Sequence, residues 1–216
     1  MAMPFPDPAR RRGRDFVARH GETVFNAARR LQGEAPHTPL TRAGFAQAEE
    51  MGRALRAALG ARPALTMWAS PTGRALQTLA VIAEHLELDW HAAKTDARLV
   101  EIGMGSWGGR YYADVTAEVG DVILPGGLLK CAPDGERYEA IAKRVAGWLS
   151  DTADDAGDRL VVMHGISSRV LRGVATGAPA DACGAPVLPG HPQGTVTALE
   201  RGVERVVHLG TGHAPA

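Results

Sequence analysis

Cysteine, lysine and net charge are all scarce in this chain of 216 residues, and each scarcity removes a class of function. Two cysteines, Cys131 and Cys183, cannot build a disulfide framework, and neither lies in a CxxC or Cys/His spacing suited to structural zinc; both read as free thiols. Lys plus Arg and Asp plus Glu balance at 24 each, so no overall basic field is available to hold nucleic acid or an anionic membrane. No run is apolar enough to span a bilayer. The opening MAMPFPDPARRRGR carries proline, aspartate and arginine where a secretory signal would have an apolar core, so the expected compartment is the cytoplasm. Any anion the protein handles must then be gripped locally. Only Lys94, Lys130 and Lys143 are lysines, leaving 21 arginines, a bias that genome composition would also produce. Arginine's planar fork pairs bidentately with carboxylate or phosphate.

What is present is a globular pattern. A hydrophobic share of 45% suffices for a substantial core in one domain and argues against disorder. The apolar run Asp15 to Ala18 predicts a buried strand ending at Arg19-His20-Gly21. Phe45, Ala48, Met51, Leu55 and Leu59 at helical spacing predict a helix over Thr41 to Leu59, capped by Thr41 and stopped by Gly60. Leu65 to Ala69 predicts a second strand. Ser70-Pro71 then reads as a cap with proline at the first helical position, opening a helix to about Leu86. Glu136 to Leu149 reads as an amphipathic helix, Arg159 to Met163 as a third strand ending at His164-Gly165, and Ile166 to Thr176 as the next helix. Gly194 to Glu200 and Arg205 to Leu209 read as closing strands. This alternation predicts an α/β fold, a three-layer α/β/α sandwich with a mostly parallel central sheet and ligands bound beyond the carboxyl ends of its strands. The expected plan is a flexible basic tail over 1–14, containing Arg10, Arg11, Arg12 and Arg14; one domain over 15–210 with a variable, partly irregular cap at about 98–135; and a C-terminal tail over 211–216.

Three predicted strand ends deliver Arg19-His20-Gly21-Glu22-Thr23, Ser70-Pro71-Thr72-Gly73-Arg74 and His164-Gly165. If the strands are parallel neighbours, two imidazoles and two guanidiniums converge on one edge. Two arginines and helix N-termini can hold a phosphate dianion while a neutral imidazole attacks phosphorus in line. Phosphomonoesters hydrolyse very slowly unaided, so a covalent route that divides the barrier is physically sensible.

RHGETVFN, QGEAPHTPLT, SPTGRALQT, Glu101 after Arg98-Leu99-Val100, and VVMHG, in that order, resemble the histidine phosphatase superfamily, also called the phosphoglycerate mutase-like family. The resemblance runs from about Asp15 to Val207. It implies a phosphoglycerate mutase-like fold in which His20 is the phosphorylated nucleophile and Arg19, Arg74 and His164 hold the transferring group. It further implies Asn26 as a phosphate contact, Glu101 as proton donor, and backbone at Gly33, Gly165 and Ile166 lining the pocket, with no metal and no cofactor. His20 must be neutral to attack, so its other ring nitrogen is expected on a backbone carbonyl near Gly21 or Glu22. His164 is expected as a cation or donor. Glu101 is to be protonated when the leaving alkoxide departs and ionised when it activates water.

Other patterns lack their context. Gly103-Met104-Gly105-Ser106-Trp107-Gly108 satisfies GxGxxG but opens no amphipathic helix of a βαβ unit, no HExxH occurs, and Ser167 and Ser168 do not form a GxSxG elbow. Relatives often place Asp where His37 stands. Glu101 precedes Ile-Gly-Met-Gly-Ser-Trp, which looks like the phosphatase branch, and Leu124 to Glu136 resembles the variable loop that sets the substrate. The reading is therefore a metal-independent phosphatase of a small phosphorylated metabolite. A 2,3-bisphosphoglycerate-dependent phosphoglycerate mutase is the alternative and a non-catalytic phospholigand module a third; dimers are common in the family, so a homodimer is open.

Overall fold

The structure, a computed structural model, describes residues 5, 7 and 11–213. Its elements in chain order are β1 (Asp15–Arg19), α1 (Val24–Ala27), α2 (Arg42–Leu59), β2 (Leu65–Ala69), α3 (Gly73–Leu86), β3 (Lys94–Thr95), α4 (Tyr112–Val119), β4 (Ile123–Leu124), β5 (Leu128–Leu129), α5 (Tyr138–Asp151), β6 (Asp158–Met163), α6 (Gly165–Thr176), β7 (Val196–Glu200) and β8 (Val203–His208). Six strands form one sheet in the order β3-β2-β6-β1-β7-β8. The first four in that order pair parallel, while β7 and β8 add an antiparallel edge.

Alternation along the strands divides the core between the two faces. Phe16, Ala18, Met67, Leu160 and Val162 point to one side and pack under α2 and α3. Val17, Val161 and Met163 point to the other, under α5, α6 and the segment that links α3 to α5. These are the three layers expected from the alternating pattern. On α5, Tyr138, Ile141, Val145 and Trp148 form the buried stripe that its spacing predicted. Because β6 lies between β1 and β2, His20 and Ser70 become neighbours of the same strand end. His20 N–H donates to Met163 O at 3.0 Å and Ser70 N–H to Val162 O at 3.0 Å.

Several boundaries differ from the expectation, each for a tertiary reason. Helix α3 starts at Gly73 with Thr72 at its N-cap, because Ser70 is spent continuing the sheet and Gly73 N–H donates to Pro36 O. Helix α5 starts at Tyr138 rather than Glu136, whose carboxylate instead binds Gly103 N–H and Arg144. The cap is more regular than its composition suggested, containing α4 and the β4–β5 hairpin; α4 buries only Val115, so it carries no apolar stripe to read. The tails need correction too. Arg10 lies outside the described residues, but Arg11 and Arg14 are pinned: Arg11 bonds Asp15 and the carbonyls of Asp155 and Gly157, and Arg14 bonds Asp158. At the other end Gly212 and His213 dock on Gln193.

A buried ion pair ties β1 to β6. Arg159, fully buried, donates from Nε and Nη2 to the two oxygens of Asp15 at 2.7 and 2.8 Å, and its guanidinium lies 4.5 Å from the Trp148 ring centroid. Removing Arg159 takes away the bidentate partner of a carboxylate that is 7% exposed and leaves it the single Arg11 Nε bond at 2.7 Å. We expect Arg159→Leu to lower the urea-unfolding free energy by about 3 kcal/mol, and Asp15→Leu/Arg159→Leu to recover part of it, since removing both charges is milder than removing one.

Candidate active site

The loop after β1 turns sharply because two glycines meet. A Cβ on Gly21 would lie 2.2 Å from Gly44 O, and one on Gly44 would lie 2.0 Å from Glu22 O, so neither position admits a side chain. Gly21 N–H is held by Thr78 Oγ1 of α3. This close packing fixes His20 at the carboxyl edge of the sheet, 2% exposed. Its Nδ1 lies 2.7 Å from Gly21 O, which places the ring proton on Nδ1 and leaves the lone pair on Nε2.

His164 stands beside it at the end of β6, with ring centroids 5.2 Å apart and planes at 65°. Arg74 Nε–H donates to His164 Nδ1 at 3.2 Å, so the His164 proton must sit on Nε2. That buried nitrogen has no partner among the described residues and is a free donor. Of the two expected states of His164, cation or donor, the geometry favours the neutral donor: burial, then Arg74 and His20, push its pKa well below the ordinary 6.5. Burial, Arg74 and Arg19 likewise push His20 well below that value, against a smaller opposing effect of the Gly21 carbonyl.

The two arginines are held differently. Arg74 is fully buried and wrapped by the loop after α1, donating to Gly33 O, Ala35 O and Thr38 Oγ1 at 2.6 to 3.0 Å as well as to His164. Four of its guanidinium bonds are thus internal. Gly33 can approach because it has no side chain: its φ is +51°, and a Cβ would sit 2.4 Å from Met104 Cγ. Arg19 donates from Nη1 to His191 O and His213 O, and its buried Nε is without a partner among the described residues. Burial pulls both guanidiniums down to about 10, against the attraction of Glu101, and both stay charged at neutral pH.

Glu101 lies at the N-terminus of α6. Its Oε1 accepts from Ile102 N–H and Ser167 N–H, and its Oε2 from Ile166 N–H alone at 2.9 Å. Ile166 was expected to offer backbone to a substrate; its N–H is already committed to Glu101, because a helix N-terminus attracts the nearest carboxylate.

Arg19, His20, Asn26, Gly33, Glu101, Gly165 and Ile166 all border one cavity of about 860 Å³. Arg74 and His164, fully buried, are not among its lining residues; the His164 ring is in contact with that of His20. The outer wall comes from the cap, with Met104, Tyr111, Tyr112, Val122, Ile123 and Leu129. Burial pushes the Tyr112 phenol up to about 12. The GxGxxG turn is accounted for: its N–H groups at Gly103, Met104 and Ser106 are taken by Glu136, Glu34 and Asp134. Among the described residues no three His, Cys, Asp or Glu side chains converge as a metal site, and no helix is long and apolar enough to cross a membrane.

Among the lining residues with no role assigned from sequence are the polar side chains Gln32, Tyr111, Tyr112 and Gln193. Gln32 stands first in the QGEAPHTPLT block and was within reach of that signal. The tyrosines follow a glycine-rich stretch without periodicity, and Gln193 sits in an irregular loop remote in sequence from everything it touches.

The sequence pattern of the histidine phosphatase superfamily (branch 1) matches residues 16–209. A "probable phosphoglycerate mutase GpmB" of Citrobacter koseri is 34% identical over 170 residues, covering 76% of this chain and 75% of that protein. Among solved structures, the alpha-ribazole phosphatase of Shigella flexneri superposes with a TM-score of 0.70 at 22% identity, covering 92% of this chain and 96% of that one. A mycobacterial glucosyl-3-phosphoglycerate phosphatase gives 0.69 at 21%, covering 93% and 100%. At such identities the two structures speak for the fold.

The two depressed imidazoles couple stability to acid. Below about pH 6.5 the unfolded chain takes up protons on His20 and His164 that the folded chain refuses, so stability is present above that pH and lost as pH falls toward the lower folded-state values. Unfolding free energy followed between pH 7.5 and 5.5 in phosphate-free buffer should decline with a limiting slope of about 2.7 kcal/mol per pH unit for two protons. His164→Gln should halve that slope.

Proposed function

Because this chain belongs to the histidine phosphatase superfamily, we propose that it is a metal-independent phosphomonoesterase working through a phosphorylated His20. The observation that carries the reading is the state of His20: a buried, neutral imidazole with Nδ1 anchored to Gly21 O, next in chain to Arg19 and in ring contact with His164, whose Nε and Nε2 donors lack partners among the described residues. A phosphate dianion satisfies both donors and offsets the buried positive charge.

In the first half-reaction His20 Nε2 attacks phosphorus and the P–O bond to the leaving group breaks. Glu101 supplies the proton to the departing oxygen; Oε2, which accepts only one N–H, has the lone pair to carry it. In the second half-reaction Glu101 takes a proton from water as that water attacks the phosphorus, returning His20 and releasing inorganic phosphate. Arg19, with its charge beside the equatorial oxygens, and His164, as a neutral N–H donor, stabilise the charge that spreads over them in both steps. Arg74 acts mainly by setting the His164 tautomer and by its charge.

The cap supports a leaving group larger than a triose. A volume of about 860 Å³ walled by Met104, Tyr111, Val122, Ile123 and Leu129 suits a bulky, mostly apolar or aromatic group. The likeness to a probable phosphoglycerate mutase favours a second reading, in which the phosphoryl group returns to another hydroxyl before water arrives.

Three measurements test this. His20→Ala should abolish both hydrolysis and an acid-labile, alkali-stable phosphoenzyme, with kcat down at least about a thousandfold; retention of either removes the proposal. Given 3-phosphoglycerate, with and without 2,3-bisphosphoglycerate, the protein should show little isomerisation, and efficient primed isomerisation without phosphate release would establish the mutase instead. Ile123→Asp should lower kcat/KM for naphthyl phosphate about tenfold or more while leaving that for methyl phosphate nearly unchanged, because only the larger group is long enough to bury apolar surface against the cap.

A further inference from the structure

The amide of Asn26 cannot turn over, and the reason points to a residue outside the sequence motifs. Thr23 N–H donates to Asn26 Oδ1 at 3.1 Å, and a backbone N–H has no acceptor form. Oδ1 therefore faces inward, and the Nδ2 donors are what Asn26 has left for the cavity it borders. The second donor on Oδ1 is Gln193 Nε2, at 2.7 Å.

The Thr23 hydroxyl has one proton and two acceptors in reach, Asn26 Oδ1 at 2.8 Å and the closer Gln32 Oε1. With both lone pairs of Asn26 Oδ1 taken by Thr23 N–H and Gln193, that proton goes to Gln32. Gln32 Oε1 is then an acceptor, and its Nε2 donors are likewise left for the cavity. One relay, from Gln193 to Asn26 and through Thr23 to Gln32, orients two amides as donors beside Arg19 and His20.

Gln193 bears a cost for this. The residue is fully buried, and its Oε1 has no hydrogen-bond partner among the described residues. Turning its amide over would set Oε1 against Asn26 Oδ1, acceptor against acceptor. A buried unpaired carbonyl oxygen is rare enough to need a reason. Its backbone is fixed as well, with Gln193 N–H donating to His213 O at 3.0 Å and Gly212 N–H to Gln193 O at 3.3 Å.

We propose that Gln193 is a positioning residue for the phosphoryl group, acting through Asn26 and Gln32 without itself touching the reacting atoms. The inference rests on the phosphoryl-transfer reading above and adds a residue to it. Gln193→Leu removes the donor and the unpaired oxygen together, so a folded variant should keep or raise its melting temperature. Its affinity for inorganic phosphate, read by calorimetry, should fall about tenfold, the worth of roughly one hydrogen bond, with KM rising in step. In the Asn26→Ala background the same substitution should change phosphate affinity little. Gln193→Met serves if the branched side chain is not accommodated. Phosphate affinity equal to that of the unmodified protein in a folded variant, or losses that multiply in the double variant, would overturn the positioning role. Absence of turnover together with Gln193-dependent phosphate binding would unseat the phosphatase reading and keep this one.

Discussion

Two guanidinium groups, those of Arg19 and Arg74, are carried into the protein next to a pair of imidazoles, and the local architecture is arranged to tolerate that positive charge. Burial weakens both cations, and both in turn disfavour a proton on either imidazole. The compensation is mostly neutral. Gly33 O, Ala35 O and Thr38 Oγ1 receive Arg74, while His191 O and His213 O receive Arg19, so backbone and hydroxyl dipoles stand in place of a second carboxylate. Glu101 contributes the nearby negative charge, itself held at the start of α6. The same positive surroundings that would welcome a phosphate dianion keep both histidines neutral. Neutral imidazoles and a surplus of buried positive charge thus share one electrostatic cause.

This arrangement explains why loops remote from the chemistry are built so tightly. The loop from Gly33 to Thr38 must bring backbone oxygens to Arg74, which it does through the left-handed Gly33 against Met104 and a bond from Gly73 N–H to Pro36 O. The Gly21–Gly44 contact leaves His20 no freedom to withdraw from the sheet edge. The terminal segment around Gly212 and His213 supports Arg19 from the other side. The cap makes fewer demands. Its walls are apolar, and it is tied to the domain by Leu31 N–H on Arg110 O, Tyr112 N–H on Arg29 O and the Arg169 guanidinium on Gly126 O.

Much of this was legible before any coordinates, for identifiable reasons. Helices α2, α3 and α5 each bury a regular stripe that repeats in sequence, and strands β1 and β6 are short apolar runs buried almost throughout. His20 and His164 follow β1 and β6 directly and Arg74 lies in the first turn of α3, so their neighbourhood could be inferred once the strands were taken as parallel, whereas Glu101, in irregular chain after β3, was reached only through the family resemblance. Helix α4 and the β4–β5 hairpin were not legible because they pack by one or two residues each. A flexible basic tail is the wrong description of Arg11 and Arg14, whose partners Asp155, Gly157 and Asp158 are more than 140 positions away.

By itself the sequence determined the layers of the fold, the three strand ends that carry histidine and arginine, and the kind of anion such residues suit, because periodicity and short motifs are local properties. Only the tertiary structure decided how each group is used. It set His164 as a neutral donor, since the proton position depends on Arg74 Nε approaching from another helix. It turned Arg74 inward, because the carbonyls that receive it come from a loop some 40 residues earlier. It also brought Gln193, 167 positions away, onto the Asn26 amide oxygen as a second donor. A hydrogen-bond partner is chosen by distance and direction in space, and neither is written in the spacing of residues along the chain.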